Sequence, residues 1–377
     1  MNLDQFEVQK FVGRGRFSLV YHVQCKRKED KNNYALKRAY LQNPDHVYNA
    51  LREYVILKRI ATADIRAYFV VNLYYSFYQD GSIIFVLSKG SGMDLYDIVE
   101  NLPPLNEEFA KFYCTEIMCG LEELHRIGVV HLDIKPENIL LSLSGHVMIS
   151  DYDCAFDVIS SSGGQPKLEN YRGTFLYMAP EIANMKTFSF NADIWSLGCI
   201  MAILVSGGCR PKVKINESRY DQARQGKWEI EDFEKLSKAL QSFLRACFII
   251  DPDKRPDIAT LKQYDFFNGV IWDKDLLMRQ HPPILPPLVI PIIDKKKYCF
   301  NLKDEKILST ANWSEMPLLP DNLRYSENSI DISQLGTVRA DTPKFLEAGL
   351  TPEHIKLLFS DIDFINERDI PNYSSWN

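Results

Sequence analysis

Residues 129–141 read VVHLDIKPENILL, and three side chains in this stretch stand at spacings that chemistry can use. Asp133 offers a carboxylate to take a hydroxyl proton, Lys135 a cation to meet a transferring phosphate, and Asn138 an amide oxygen to bind a metal. They sit on a short loop between a helical pattern and an apolar run, so two regular elements would hold them in fixed relation.

Upstream lie two further groups suited to phosphate. VGRGRFSLV at 12–20 falls between two strand-like runs, and Gly13 and Gly15 would let the backbone come close enough for amide N–H groups to donate to phosphate oxygens. A glycine-containing hairpin turn would look the same. Ser18 also stands where the third glycine of G-x-G-x-x-G is expected. Lys37 in YALK falls on a third strand, where a lysine is ordinarily a solvated edge residue. Glu53 in LREYVIL lies on a helix among apolar neighbours, and an ion pair with Lys37 would hold the amine against the α and β phosphates of a nucleotide. An unrelated surface salt bridge is the alternative for either residue.

The elements that must position these groups fall into two textures. From residue 6 to about 87 the runs FEVQKFV, SLVYHVQC, NYALKRA, AYFVVNLYYSFY and SIIFVLS are rich in β-branched and aromatic residues and read as strands, interrupted by one helix over roughly 46–60. After KGSG at 89–92 helices take over. Phe109, Tyr113, Ile117, Leu121 and Leu124 share a face over 106–126, and Ile194, Leu197, Met201 and Leu204 form a second stripe. Beyond about 268 the order weakens into a proline-rich and polar tail, with a last amphipathic patch at 351–365 able to dock.

The 377 residues, 46% hydrophobic and 25% charged, suit a globular protein with a sizeable core. A net charge of −6 supplies no bulk attraction to nucleic acid or to an anionic membrane. The eight cysteines form no Cys-x-x-Cys pair, so neither a zinc site nor a disulfide framework is expected, and reduced thiols of the cytoplasm or nucleus are the simplest reading. No signal-like start and no run of about 18 uninterrupted apolar residues points to a membrane segment.

Taken in order, GRGRFSLV, YALK, HLDIKPEN, DYD, GTFLYMAPE, DIWSLG and DPDKRP resemble the motifs of a eukaryotic protein kinase over about residues 6–267. The segment YDFFNGVIWDKDLLMRQHPP with its long tail resembles the AGC group. The resemblance implies an α+β, bilobal protein-kinase fold: a small β-rich N-lobe (6–87), a hinge (88–90), a larger, mainly α-helical C-lobe (91–267) and an extended, partly disordered C-terminal tail (268–377). It makes Asp133 the catalytic base, Lys135 the phosphate-contacting lysine, and Asn138 and Asp151 the ligands of Mg2+ or Mn2+. ATP would be framed by Val12, Gly13, Gly15 and Val20, by Lys37 and Glu53, and by backbone groups of Ser88, Lys89 and Gly90, with Leu87 guarding the pocket behind.

Lys135 together with Thr174 of GTF matches the serine/threonine pattern. Glu181 with Arg255, and Asp193 beneath the catalytic loop, would be scaffold. Protein substrates are implied, with basic residues upstream of the target attracted by Asp94 and Glu137. The tail would dock in cis on the N-lobe through Phe359 and Phe364 and hold the Glu53 helix.

Four positions depart from the family pattern. Leu132 replaces the arginine that often binds an activation-loop phosphate, so activity is expected not to require phosphorylation of 154–180, despite Ser160, Ser161, Ser162 and Tyr171. Asp153 replaces the glycine of D-F-G, and if that backbone must take positive φ, aspartate is among the side chains that cost least there. Its charge at ~8 Å from a phosphate with an effective dielectric of ~20 would repel by about 2 kcal/mol. Tyr152 keeps the phenylalanine ring provided its hydroxyl finds a partner, and Ser18 would weaken ATP binding. None of the four removes a group that touches the reacting phosphate. An active serine/threonine kinase is therefore the leading reading, a pseudokinase or scaffold the alternative, and a small-molecule phosphotransferase a third.

Overall fold

The alternating apolar runs of the amino-terminal third pair into one antiparallel sheet. In the computed structural model, residues 1–15, 17–41, 43–63, 67–159, 173–206, 209–210, 219–290 and 352–366 are described. Ser160, Ser161, Ser162, Tyr171 and most of the tail lie outside them. The chain divides into two units, one of residues 1–63, 72–89 and 295–377, the other of 64–71 and 90–294.

The first unit holds β1 (Phe6–Arg14), β2 (Ser18–Cys25), β3 (Asn33–Tyr40), α1 (Pro44–Thr62), β4 (Leu73–Gln79) and β5 (Ser82–Leu87). Its sheet runs in the order β1-β2-β3-β5-β4-β12, where β12 (Phe364–Ile365) comes from the tail. Side chains alternate across the pleat. Leu19, Tyr21, Leu36, Ile84 and Val86 therefore enter a core on one face, while the register Val20↔Lys37 and Lys37↔Phe85 sets Lys37 on the other. The β2–β3 turn is clasped by the buried carboxylate of Asp30, which accepts from the hydroxyls of Tyr34 at 2.9 Å and Tyr75 at 2.5 Å and from Asn32 N at 2.9 Å.

The tail rejoins this unit through α11 (Pro352–Leu358) and β12. Ile355, Phe359 and Ile362 are buried, and Phe359 stacks on Tyr78 with ring centroids 5.7 Å apart. Tyr54 on α1 donates to Asp361 O at 2.7 Å, and Ser76 donates to Ile362 O at 2.5 Å. Phe364 is only half-buried and contributes mainly its backbone, paired with Ser76. The buried anchors are thus Ile355, Phe359 and Ile362 rather than the Phe359 and Phe364 expected.

The second unit is mainly helical. It contains α2 (Leu95–Asn101), α3 (Glu107–Arg126), α4 (Pro180–Ala183), α5 (Asn191–Ser206), α6 (Arg219–Gln225), α7 (Lys238–Cys247), α8 (Ile258–Leu261), α9 (Lys274–Leu277) and α10 (Pro286–Val289). The strands are short: β6 (Val129–Val130), β7 (Ile139–Leu141), β8 (Val147–Ile149), β9 (Phe156–Asp157), β10 (Cys209–Arg210) and β11 (Glu229–Ile230). Helix α3 begins where Asn106 Oδ1 accepts from Phe109 N at 2.8 Å, which satisfies one of the amides a helix start leaves free. Arg255 and Glu181, both buried, form a two-point ion pair at 2.7 and 3.0 Å.

Three expectations change. Phe109 is 43% exposed, because it sits in the first turn of α3, before the buried face closes over it; Tyr113, Ile117, Leu121 and Leu124 are buried as expected. Helix α5 carries no single stripe, since nearly all its side chains from Ala192 to Leu204 are buried. The run 67–78 is a strand only from Leu73. Its first part leaves the sheet and meets the second unit's β8, with Val70 bridged to Ile149 and Val71 N bonded to Ile149 O at 2.9 Å.

Candidate active site

In the second unit the loop between β6 and β7 is fastened from below. Asp193, in the first turn of the buried α5, accepts from His131 N at 2.8 Å and Leu132 N at 2.9 Å, and meets His125 Nε2 at 2.9 Å. These bonds go to backbone, so they do not depend on which side chain stands at 132. Leu132 takes φ +63 and is 5% exposed. Where an arginine would offer a cation, this chain packs a hydrocarbon. His131 Nε2 donates to Ser150 O at 3.0 Å, which leaves Nδ1 to accept from Asp133 N at 3.3 Å and sets the tautomer.

Asp133 is buried, with its two carboxylate oxygens in different environments. Oδ2 accepts from Lys135 Nζ at 2.6 Å and from Asn138 Nδ2 at 3.1 Å. Oδ1 is buried and has no hydrogen-bond partner among the described residues. Burial alone would lower the Lys135 pKa, but Asp133, then Glu137 and Asp151, outweigh it and raise the ammonium above its ordinary value. Lys135 Nζ also donates to Thr174 Oγ1 at 3.0 Å. Beside them Gly173 has φ +93, and a Cβ there would lie 2.3 Å from Leu132 O, so the loop tolerates only glycine.

Asn138 donates through Nδ2 to Asp133 O at 2.8 Å as well, which turns its amide oxygen to the other side. That oxygen and the Asp151 carboxylate are hard donors of the kind Mg2+ takes, alongside phosphate oxygens and water. Among the described residues no cluster of three or more His, Cys, Asp or Glu forms a dedicated metal cage. The donor set fits a hard divalent cation such as magnesium.

In the DYD segment, positive φ falls at Asp151 (+67) and not at Asp153. The conformational freedom of the missing glycine is not drawn on, so the anticipated backbone cost does not arise. Tyr152 is buried, and its hydroxyl donates to Ile149 O at 2.8 Å. The Asp153 carboxylate accepts a hydrogen bond from the Cys154 thiol; burial first, then the charges of Asp153 and Asp133, raises the pKa of that thiol.

The remaining predicted residues lie mostly in the first unit. Lys37 Nζ and Glu53 Oε1 pair at 2.7 Å with both side chains buried, joining β3 to α1. Val12 sits at a register shift of β1, next to Gly13, which pairs with Val20. Gly15 N donates to Ser18 O at 2.8 Å. A Cβ on Gly15 would meet Ser18 Oγ at 2.5 Å, so the serine hydroxyl occupies the space above that glycine. Ser88 exchanges bonds with Asn72, through Ser88 N to Asn72 O at 3.1 Å and Asn72 N to Ser88 Oγ at 3.0 Å. Burial lowers the Lys89 pKa. Gly90, in the second unit, lies close to Leu141 O, 3.3 Å from where a Cβ would stand.

Sequence reading placed Asp133, Lys135 and Asn138 on one short loop, and the structure joins the three by hydrogen bonds; Asp151, read separately from the DYD stretch, follows β8, and its charge acts on Lys135. It missed His125, whose imidazole meets Asp193, because the helical pattern of α3 was read for its apolar face alone. It also missed Cys154, and it gave Lys135 and Asn138 phosphate and metal roles without their hydrogen bonds to the Asp133 carboxylate.

Residues 6–267 match the family described as protein kinase domain. The chain is 32% identical to human ribosomal protein S6 kinase alpha-1 over 295 residues, covering 76% of this chain and 39% of that protein. It is 32% identical to chicken ribosomal protein S6 kinase 2 alpha over 296 residues, 76% and 38% of the respective chains. It is 31% identical to 3-phosphoinositide-dependent protein kinase 1 of Arabidopsis thaliana over 295 residues, 75% and 58%. The chain thus spans about two fifths of the S6 kinases it matches and just over half of the plant protein. No helix among the described residues is long and apolar enough to cross a membrane. With the motif order, the sheet-plus-helical architecture and the bonded Asp133–Lys135–Asn138 loop on the same stretch, the chain belongs to the protein kinase family, and its relatives are AGC-type serine/threonine kinases.

Proposed function

We propose that this chain transfers the γ-phosphate of ATP to serine or threonine hydroxyls of protein substrates, with Mg2+ as the metal. The observation that carries the reading is Asp133, whose Oδ2 is held by Lys135 and Asn138 while Oδ1 is buried without a partner among the described residues. A buried acceptor left unpaired costs on the order of 1–3 kcal/mol. A substrate hydroxyl donating to Oδ1 would relieve that cost and be oriented for attack as its proton is drawn off. Lys135, kept charged, would meet the transferred phosphoryl group, and Lys37, fixed by Glu53, would neutralise charge nearer the nucleotide. Magnesium, held by the Asn138 amide oxygen and Asp151, would neutralise phosphate charge when bound.

Upstream basic residues in the substrate are the second part of the proposal. Glu137 keeps one carboxylate oxygen unpaired among the described residues. Asp94 is partly committed elsewhere, because its Oδ1 accepts from Asp97 N at 2.9 Å as the cap of α2. Glu137 is therefore the stronger candidate for an arginine or lysine.

The competing reading, a scaffold that binds without efficient transfer, is favoured by the buried Leu132 and by the carboxylate introduced at Asp153. Incorporation of radiolabelled phosphate from ATP into a generic protein substrate separates the two. Transfer by the wild type that drops by about 10²–10⁴ in Asp133→Asn supports the kinase; equal incorporation by both, or none by either with Mg2+ or Mn2+, supports the scaffold.

A further inference from the structure

Phe17 follows two glycines in the loop between β1 and β2, a place where side chains are usually solvated, yet it is only 8% exposed. Its ring stacks on His46, with centroids 4.7 Å apart and planes 18° apart. The backbone is pinned on the same side, since Phe17 O accepts from Tyr40 N at 2.9 Å and Gly15 N donates to Ser18 O at 2.8 Å.

His46 lies in the first turn of α1, 5% exposed, and Asn43 fixes its imidazole. Asn43 Oδ1 accepts from His46 N at 3.0 Å to cap the helix. The other end of that amide, Nδ2, must then be the group facing His46 Nε2 at 3.2 Å. An amide nitrogen only donates, so Nε2 accepts and the ring proton resides on Nδ1. About two turns further along, the same helix presents Glu53 to Lys37. One rigid element therefore touches the glycine loop at its amino end and the phosphate-directed lysine at its middle.

We infer that His46 is a positioning residue for the glycine-rich loop, its stack on Phe17 holding Gly15, Phe17 and Ser18 in the form that receives nucleotide phosphates. This rests on the nucleotide-dependent activity proposed above. A stacked aromatic pair carries a modest preference, and its loss should weaken nucleotide binding by about three- to tenfold. The chemistry at Asp133 should be spared.

The test uses the full chain as wild type, His46→Ala, His46→Phe and Asp133→Asn. Affinity for Mg-ADP is read by calorimetry, KM for ATP and kcat by phosphate transfer, and the melting temperature without nucleotide. In His46→Ala, ADP affinity should fall and KM rise by about three- to tenfold with kcat within twofold of wild type. His46→Phe, which can still stack, should restore both to within twofold. Unchanged ADP affinity and KM with a lowered melting temperature would reduce His46 to a packing residue and overturn the inference, as would a His46→Phe as defective as His46→Ala. Should wild type transfer no more phosphate than Asp133→Asn, the proposed activity fails while the ADP measurement still decides the role of His46. A wild type that binds no ADP overturns both.

Discussion

The hydroxyl of Tyr152 donates to the carbonyl oxygen of Ile149 at 2.8 Å, across the left-handed residue Asp151. Ile149 O also accepts from Val71 N at 2.9 Å, so removing the hydroxyl would not orphan the carbonyl. Tyr152→Phe should cost only about 0.5–1.5 kcal/mol in urea denaturation. Hydrogen exchange of residues 150–156 should quicken measurably. Unchanged exchange would mean that ring packing against His131, 5.4 Å away between centroids, holds the segment without the hydrogen bond.

Arg255 and Glu181 are a harder case, since both side chains are almost fully buried. Removing one partner leaves a buried charge uncompensated, so Glu181→Ala should destabilise by about 3–5 kcal/mol. Arg255 would keep its bonds to Ile249 O and Asn191 O, at 2.9 and 2.8 Å, which hold the guanidinium in place rather than letting it swing to water. A loss below about 1 kcal/mol by chemical denaturation would show that water reaches it.

Cys154 supplies a pH-dependent readout of Asp153. Only the thiolate alkylates, and burial, then Asp153 and Asp133, raise this thiol above its ordinary 9.0. The folded state therefore holds the thiol proton more tightly than the unfolded state. That contribution to stability is present below pH about 9 and is lost as pH rises through the folded value. At pH 8.5, iodoacetamide should label Cys154 at least about tenfold more slowly than an exposed thiol, as followed by peptide mapping. Asp153→Gly removes a charge and the hydrogen-bond acceptor and should speed labelling; no change would indicate that burial alone governs the thiol.

Tail docking is testable at its anchors. Phe359→Ala removes a buried ring stacked on Tyr78 and should cost about 2–4 kcal/mol of docking. Tyr54→Phe removes the α1–tail bond and should cost about 1 kcal/mol. Both should raise hydrogen exchange over 352–366. Because Tyr54 adjoins Glu53 on α1, both should also lower phosphate transfer severalfold. Transfer and exchange unaltered in both variants would show that the tail does not brace the helix.

Much of the site was legible because its chemistry is local in sequence. Asp133, Lys135 and Asn138 fall within six residues, and a loop that short cannot scatter them. The Lys37–Glu53 pair was legible for another reason: a lone lysine on a strand and a lone acid on an otherwise apolar helix face each needed an explanation, and pairing supplies both. What was illegible depends on backbone state and distant partners. Asp153 was judged by the freedom of the glycine it replaces, whereas the chain places that freedom's demand at Asp151. Phe109 followed the helical period but sat in the end turn, where period and burial part company. The strand predicted from residue 67 began at Leu73, because an apolar run does not reveal which of two units will take each part of it.

The two residues of β12 pair with Ser76 and Tyr75 of β4, and among the described residues no other strand lies on that side of β4. A strand left at the rim of a sheet presents unpaired backbone groups that recruit other chains. By lying there with Phe359 and Ile362 buried, the tail also shields a sticky margin. Its removal would cost solubility as well as rigidity, so a truncated protein should self-associate.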